Sequence, residues 1–210
     1  MSAREKNTLG FAYKRWMLIG LVLLSAVLGG GYAWFDYRFP SWKEEVVLPD
    51  GRKLVVKQRR DFIEGYGTRK TWLTFSLPEM GGERTWEEYM QPILVTVSRE
   101  GHVYVVGWPS GEKQMARYRH PRYGYVAFRW EANGFERVPF ISISEDLRQE
   151  ENVIRCLSKS GFIKWETKLQ AGCNDIGEYV AGGSRKIDVD RMRDWALKQA
   201  ERQNIKPLSE

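Results

Sequence analysis

Residues Trp16 to Phe35 read WMLIGLVLLSAVLGGGYAWF, twenty consecutive positions without a charged side chain. At 1.5 Å per residue an α-helix of that length measures about 30 Å, the thickness of a bilayer's hydrocarbon core. Trp16 at one end and Tyr32, Trp34, Phe35, Tyr37 and Trp42 at or beyond the other are the amphipathic rings expected at the two headgroup levels. Upstream, Arg4, Lys6, Lys14 and Arg15 outweigh Glu5, whereas Asp36, Arg38, Lys43, Glu44 and Glu45 downstream are mixed in sign. The positive-inside rule then predicts a cytoplasmic tail over 1–15, a transmembrane signal anchor over 16–35, a juxtamembrane tether over 36–42 interrupted by Pro40, and an exported domain over 43–210. In a bacterial inner membrane the exported side is the periplasm.

A cleaved signal peptide is the competing reading, with its apolar part at Trp16–Leu28 and Gly31-Tyr32-Ala33 as a small-x-small cleavage site. The apolar run continues to Phe35 and the site is flanked by large aromatics, which suits an uncleaved anchor better. Both readings export the same domain, and no lipobox-style cysteine follows the run. Ser25, Gly29 and Ala33 fall at i, i+4 and i+8, the small-residue spacing through which two such helices would form a homodimer.

Hydrophobic residues make up 42% of the chain and charged residues 29%, a composition that excludes collagen and wholesale disorder. Nine Trp, ten Tyr and nine Phe bias the domain toward binding surfaces as well as core. Of the net charge of +6, half resides in the first fifteen residues, so a nucleic-acid partner is not expected. Cys156 and Cys173 are both exported, where an oxidising compartment favours a disulfide. A zinc site using them with His102 and His120 has none of the usual ligand spacings, and neither a metal nor a cofactor is expected.

Across 43–210, period-2 alternation and turn chemistry predict a mainly antiparallel α+β domain. Val46–Leu48 and Leu54–Val56 flank a Pro49-Asp50-Gly51 turn; Thr71–Leu77 alternates as a half-buried strand; Ile93–Ser98 and His102–Trp108 flank Gly101; Tyr123–Glu131 and Phe135–Ile141 flank Asn133-Gly134. The T-x-x-E spacing at Thr85–Glu88 predicts one helical turn. A polar helix is expected over Asp146–Leu157, a strand over Ile163–Leu169 with Lys168 facing solvent, and a short strand over Glu178–Ala181. An amphipathic helix capped by Asp188 is expected over Val189–Gln203, covering the sheet through Trp195.

Catalytic patterns are sparse. Gly107-Trp108-Pro109-Ser110-Gly111 places its serine one position late for a nucleophile elbow, and His102 and His120 read as hairpin and loop residues. A carboxylate pair for glycan hydrolysis would draw on Glu64, Glu87 or Glu88, none set apart by its surroundings. From Lys113 to Trp130 there are five bases and no acid, interleaved with aromatics. Arg117, Tyr118, Arg119, Arg122, Tyr123, Tyr125 and Arg129 are therefore the candidate binding residues, against the alternative that the rings fill the core and the arginines cover it. The sequence thus predicts a non-catalytic, single-pass inner-membrane protein whose periplasmic domain binds another envelope protein, an immunity or accessory protein being one concrete form. Its rivals are an envelope hydrolase and a polyanion-binding module built on 113–130.

Overall fold

Helix α1 (Ala3–Arg38) ends where Phe39 precedes Pro40, because a residue before proline is pushed out of the helical region. The computed structural model describes residues 3–63, 67–154, 161–170 and 185–206. The chain divides after Arg38 into this helix and a domain that begins at Phe39. Within α1, Trp16–Arg38 is long and apolar enough to cross a membrane. The leucines and valines of Trp16–Arg38 are exposed on every side of that segment. Ser25 donates its hydroxyl to the Leu21 carbonyl at 2.9 Å, satisfying it within the helix.

The domain is α+β. A five-stranded sheet is formed by β1 (Ser41–Val47), β2 (Lys53–Ile63), β3 (Gly67–Leu77), β4 (Gly82–Glu88) and the two-residue β10 (Phe162–Ile163), in the order β10-β1-β2-β3-β4. All neighbours are antiparallel except β10, which runs parallel to β1. An antiparallel meander of β5 (Gln91–Val97), β6 (Val103–Trp108), β7 (Val126–Glu131) and β8 (Gly134–Val138) makes the second sheet. Three expected hairpins are present. Gly51 at φ +84° and Gly101 at φ +83° take the left-handed conformation that two of these turns require.

The inner faces of the sheets share one core. Val46, Val56, Leu73, Phe75 and Trp86 pack with Val95, Val97, Val103, Val105 and Phe128, and Trp86 meets Phe128 edge-on at 5.7 Å. The opposite face of the second sheet buries Leu94, Tyr104, Val106 and Ala127 against Phe140, Ile143, Leu147 and Ile187. Helix α3 (Val189–Arg202) covers it, and Asp188 caps α3 by accepting from Arg191 N at 2.9 Å. The covering contact is made by Val189 and Met192, half-buried like Trp195 but packed on this core, and Ala196 and Ala200 are the buried residues of the helix. With both faces covered, β5 and β6 read as near-continuous apolar runs rather than alternating ones.

Several expectations are corrected. Thr85–Glu88 belongs to β4, not to a helical turn, because pairing of Trp86 with Leu73 places the indole in the core. Of the helix expected over 146–157, the described residues to Ile154 instead show a 3-10 turn at Glu145–Leu147 and then β9 (Glu150–Glu151), with no helix after it. The amides of Asn152 and Val153 donate to the Ile93 carbonyl instead of to a helix. The strand expected over 163–169 stops at Ile163, and a 3-10 helix follows at Trp165–Gln170, which turns Lys168 inward rather than to solvent. Trp42, expected at the headgroup level, is buried on the inner face of β1. Element β11 (Arg185–Lys186) pairs with β9. Cys156, Cys173, Glu64 and the strand expected over 178–181 lie outside the described residues.

One segment fastens the layers together. Asn152 is buried where β1 meets β5: its side-chain oxygen accepts from Val95 N at 2.9 Å, and its amide nitrogen donates to Val95 O at 2.8 Å and Val47 O at 3.1 Å. Two residues on, Ile154 N donates to Glu44 Oε2 at 2.9 Å. Glu44 is fully buried and is neutralised by Lys168 Nζ at 2.7 Å, with Trp42 and Gln58 donating to its other oxygen. Lys168 also donates to the Asn152 carbonyl. Burial pushes the Lys168 ammonium below its usual range, and the Glu44 carboxylate opposes that shift. Arg60 donates to Gln58 Oε1 at 3.0 Å and to Ile154 O at 2.6 Å, with its guanidinium over the Trp42 ring at 5.0 Å.

Replacing Asn152 with Ala strips partners from the two buried backbone groups of Val95, each costing about 1–3 kcal/mol, and from the half-buried Val47 carbonyl. Urea denaturation should show a stability loss of about 3 kcal/mol or more, and Asn152→Asp should do no better because a carboxylate cannot donate to Val47 O. A loss below about 1 kcal/mol would show that the clamp is dispensable.

Candidate functional site

The basic aromatic segment is divided by the fold. Lys113 and Arg117 lie on the short helix α2 (Glu112–Arg117), and Arg119 at φ +58° and His120 at φ +50° turn the chain sharply after it. The Tyr118 ring is buried in the core between the sheets; its hydroxyl donates to Glu88 Oε2 at 2.6 Å and accepts from Tyr89 N at 3.0 Å. Tyr123 and Tyr125 sit in the second core, their centroids 6.1 and 5.2 Å from Phe140. Arg129 shares a side of β7 with Tyr125 but is paired with Glu131 at 2.5 Å. Arg119 and Arg122 are exposed, Arg122 lying 6.0 Å from its neighbour Tyr123. The tyrosines at 118 and 125 thus serve packing, and the seven residues do not share one surface.

The catalytic alternatives are also placed. Adjacent side chains on a strand point to opposite faces, so Glu87 and Glu88 on β4 diverge: Glu87 pairs with Lys70 and Glu88 with Tyr118. Lys70 holds the Glu87 carboxyl below its usual range. Ser110 lies 3.3 Å from Gln114 Oε1, an amide that cannot act as its base. Among the described residues no cluster of His, Cys, Asp and Glu is arranged to hold a metal.

A surface that the sequence reading missed lies on the outer face of the five-stranded sheet. Register places Arg59 opposite Trp72 and Trp72 opposite Glu87, with Lys57, Thr74 and Thr85 in the next row. The Arg59 guanidinium lies 5.1 Å from the Phe39 centroid and 5.3 Å from that of Trp72. Lys70 Nζ stands 5.1 Å from both Trp72 and Tyr89, and Arg117 is 3.8 Å from Tyr89. Phe39, Arg59, Trp72, Lys70, Tyr89 and Arg117 therefore form an unbroken ladder of alternating rings and cations, which leaves the sheet face at its far end for Tyr89, packed beside the core after β4, and for Arg117 on α2. All but Arg117 are half-buried, so their positions are fixed while their edges face water.

Each contact lies within the about 6 Å reach of a cation–π interaction, worth about 0.5–1 kcal/mol at an exposed site. The ladder stabilises the sheet modestly, and it also presents amphipathic rings and charges in fixed geometry. The alternation of Lys57 and Arg59 with buried Val56 and Gln58 marks those side chains as outward-facing. Which ring each cation meets depends on strand register, and that no short-range pattern specifies. Comparison with family models, with curated proteins and with solved structures gives no match for this chain.

The buried Tyr118 hydroxyl gives a pH signature. Burial, reinforced by the hydrogen bond to Glu88, raises its ionisation well above the ordinary value of 10.0. The unfolded chain releases this proton near pH 10 and the folded one retains it, so stability should fall as pH rises beyond that point. Above about pH 10 the wild type should lose up to about 1.4 kcal/mol per pH unit more than Tyr118→Phe, and below about pH 9 the two should run parallel. Equal slopes in chemical denaturation would show that the hydroxyl ionises freely in the folded protein.

Proposed function

We propose that the protein is a non-catalytic, single-pass protein of the inner membrane, with its N-terminus in the cytoplasm, and that its periplasmic domain binds another envelope protein through the outer face of the five-stranded sheet. The basic bias of residues 4–15 ahead of an apolar helix supports the orientation. The observation that carries the binding reading is the Phe39–Arg59–Trp72–Lys70–Tyr89–Arg117 ladder. Trp, Tyr and Arg dominate interface hot spots, because they bring large contact area and directional charge together. Held by neighbouring rings and cations, these side chains lose little further freedom on binding.

A photoreactive side chain at Thr74, in the middle of this face, should cross-link one envelope protein in cells. Trp72→Ala should cut the yield about tenfold, the effect of losing a hot-spot ring. The same group at Lys198, exposed on α3, should capture none. Equal yields from the two positions, or none from Thr74, would contradict this assignment.

A further inference from the structure

Two lysines confront each other on the proposed docking face. The β1–β2 register sets Lys43 directly opposite Lys57, and Ser41 opposite Arg59. Both lysines are exposed, and neither is in an ion pair among the described residues. Like charges directly opposite in an antiparallel pair repel one another and destabilise the sheet. Arg59 is two residues from Lys57 on the same face, held over Phe39 and Trp72. The nearby acids are engaged: Glu45 accepts from Trp165 N at 3.0 Å and lies 3.9 Å from Lys53, and Glu87 pairs with Lys70. Three cations are thus gathered at one end of the ladder with no acid of the sheet between the two lysines.

We infer that the partner presents an acidic polypeptide segment, with one carboxylate bridging Lys43 and Lys57 and the next reaching toward Arg59. This rests on the docking reading above and names the chemistry of its occupant. A bridging carboxylate converts the repulsion into two attractions, so binding relieves a conflict present in the free protein. A polypeptide suits the face better than an anionic bilayer. Glu83 and Glu87 stand outward among the cations and would repel a sheet of headgroups, and Arg59 and Lys70 are fixed on rings rather than free to follow fluid lipid. Fixed charges of both signs read a fixed complementary pattern.

The test uses the full chain in phosphatidylcholine nanodiscs with a fluorescent decaglutamate peptide as probe. Wild type should bind it, and Lys43→Gln combined with Lys57→Gln should weaken binding about tenfold or more, while Lys198→Gln combined with Arg202→Gln on α3 should change it less than about twofold. The first variant's Tm should hold or rise, because removing the opposed charges removes their repulsion. Absence of peptide binding, or equal weakening in both variants, overturns the inference. Binding to vesicles of phosphatidylglycerol in place of the peptide also overturns it and assigns the face to a lipid surface. If Thr74 still cross-links its partner at full yield in the Lys43/Lys57 variant, the acidic segment is wrong and the docking face stands. If Thr74 captures nothing, the docking reading falls and this inference falls with it.

Discussion

A carboxylate without access to water has to be neutralised where it stands, and Glu44 is fully buried on the inner face of β1. Its partner comes from far along the chain. Lys168 is brought inward by the 3-10 turn after β10, and the Ile154 amide and the Gln58 and Trp42 side chains complete the shell. Removing one member of such a buried pair typically costs about 3–5 kcal/mol, because the survivor keeps its charge and loses its compensation. Residues 150–154 and 161–168 must therefore lie where they do once β1 has chosen its inward face. Asn152, bonded to both Val47 and Val95, joins the sheets at the same place.

This constraint explains which parts of the fold were legible in the sequence. Hairpins announced themselves through local chemistry: Pro49-Asp50-Gly51, Gly101 and Asn133-Gly134 fix their turns whatever lies elsewhere. The apolar helix and the capped α3 were equally local. The failures cluster where distant partners decide. Residues 146–157 carry a helical apolar pattern, but Asn152, Val153 and Ile154 give their backbone donors to Ile93 and Glu44, and Lys168 looked like a solvent-facing strand residue because Glu44 lies more than a hundred positions away. Thr85–Glu88 met a capping spacing, yet pairing with β3 outweighed it.

The candidate surface divides along the same line. The 113–130 segment was conspicuous in composition, but Tyr118 and Tyr125 turned out to fill two cores, and of its residues only Arg117 joins the ladder. The ladder's other members, Phe39, Arg59, Lys70, Trp72 and Tyr89, are scattered over fifty residues and meet only through register. Register in turn rests on the inward set of Trp42, Glu44, Val46, Val56 and Gln58, since a one-residue slip of β1 or β2 would expose the charged network and bury the outer lysines. The polar latch inside and the cation–aromatic face outside are two sides of the same strands.

The latch makes this face a preformed surface, already ordered in the free protein. Native-state hydrogen exchange of the free protein tests it most directly through the Ile154 amide, donated to Glu44, and the Val95 amide, donated to Asn152. Both should exchange only on global unfolding, with the same free energy and denaturant dependence as the amides of Leu73 and Phe75 in β3. Exchange of Ile154 and Val95 through a local opening, at distinctly lower free energy than β3, would contradict it.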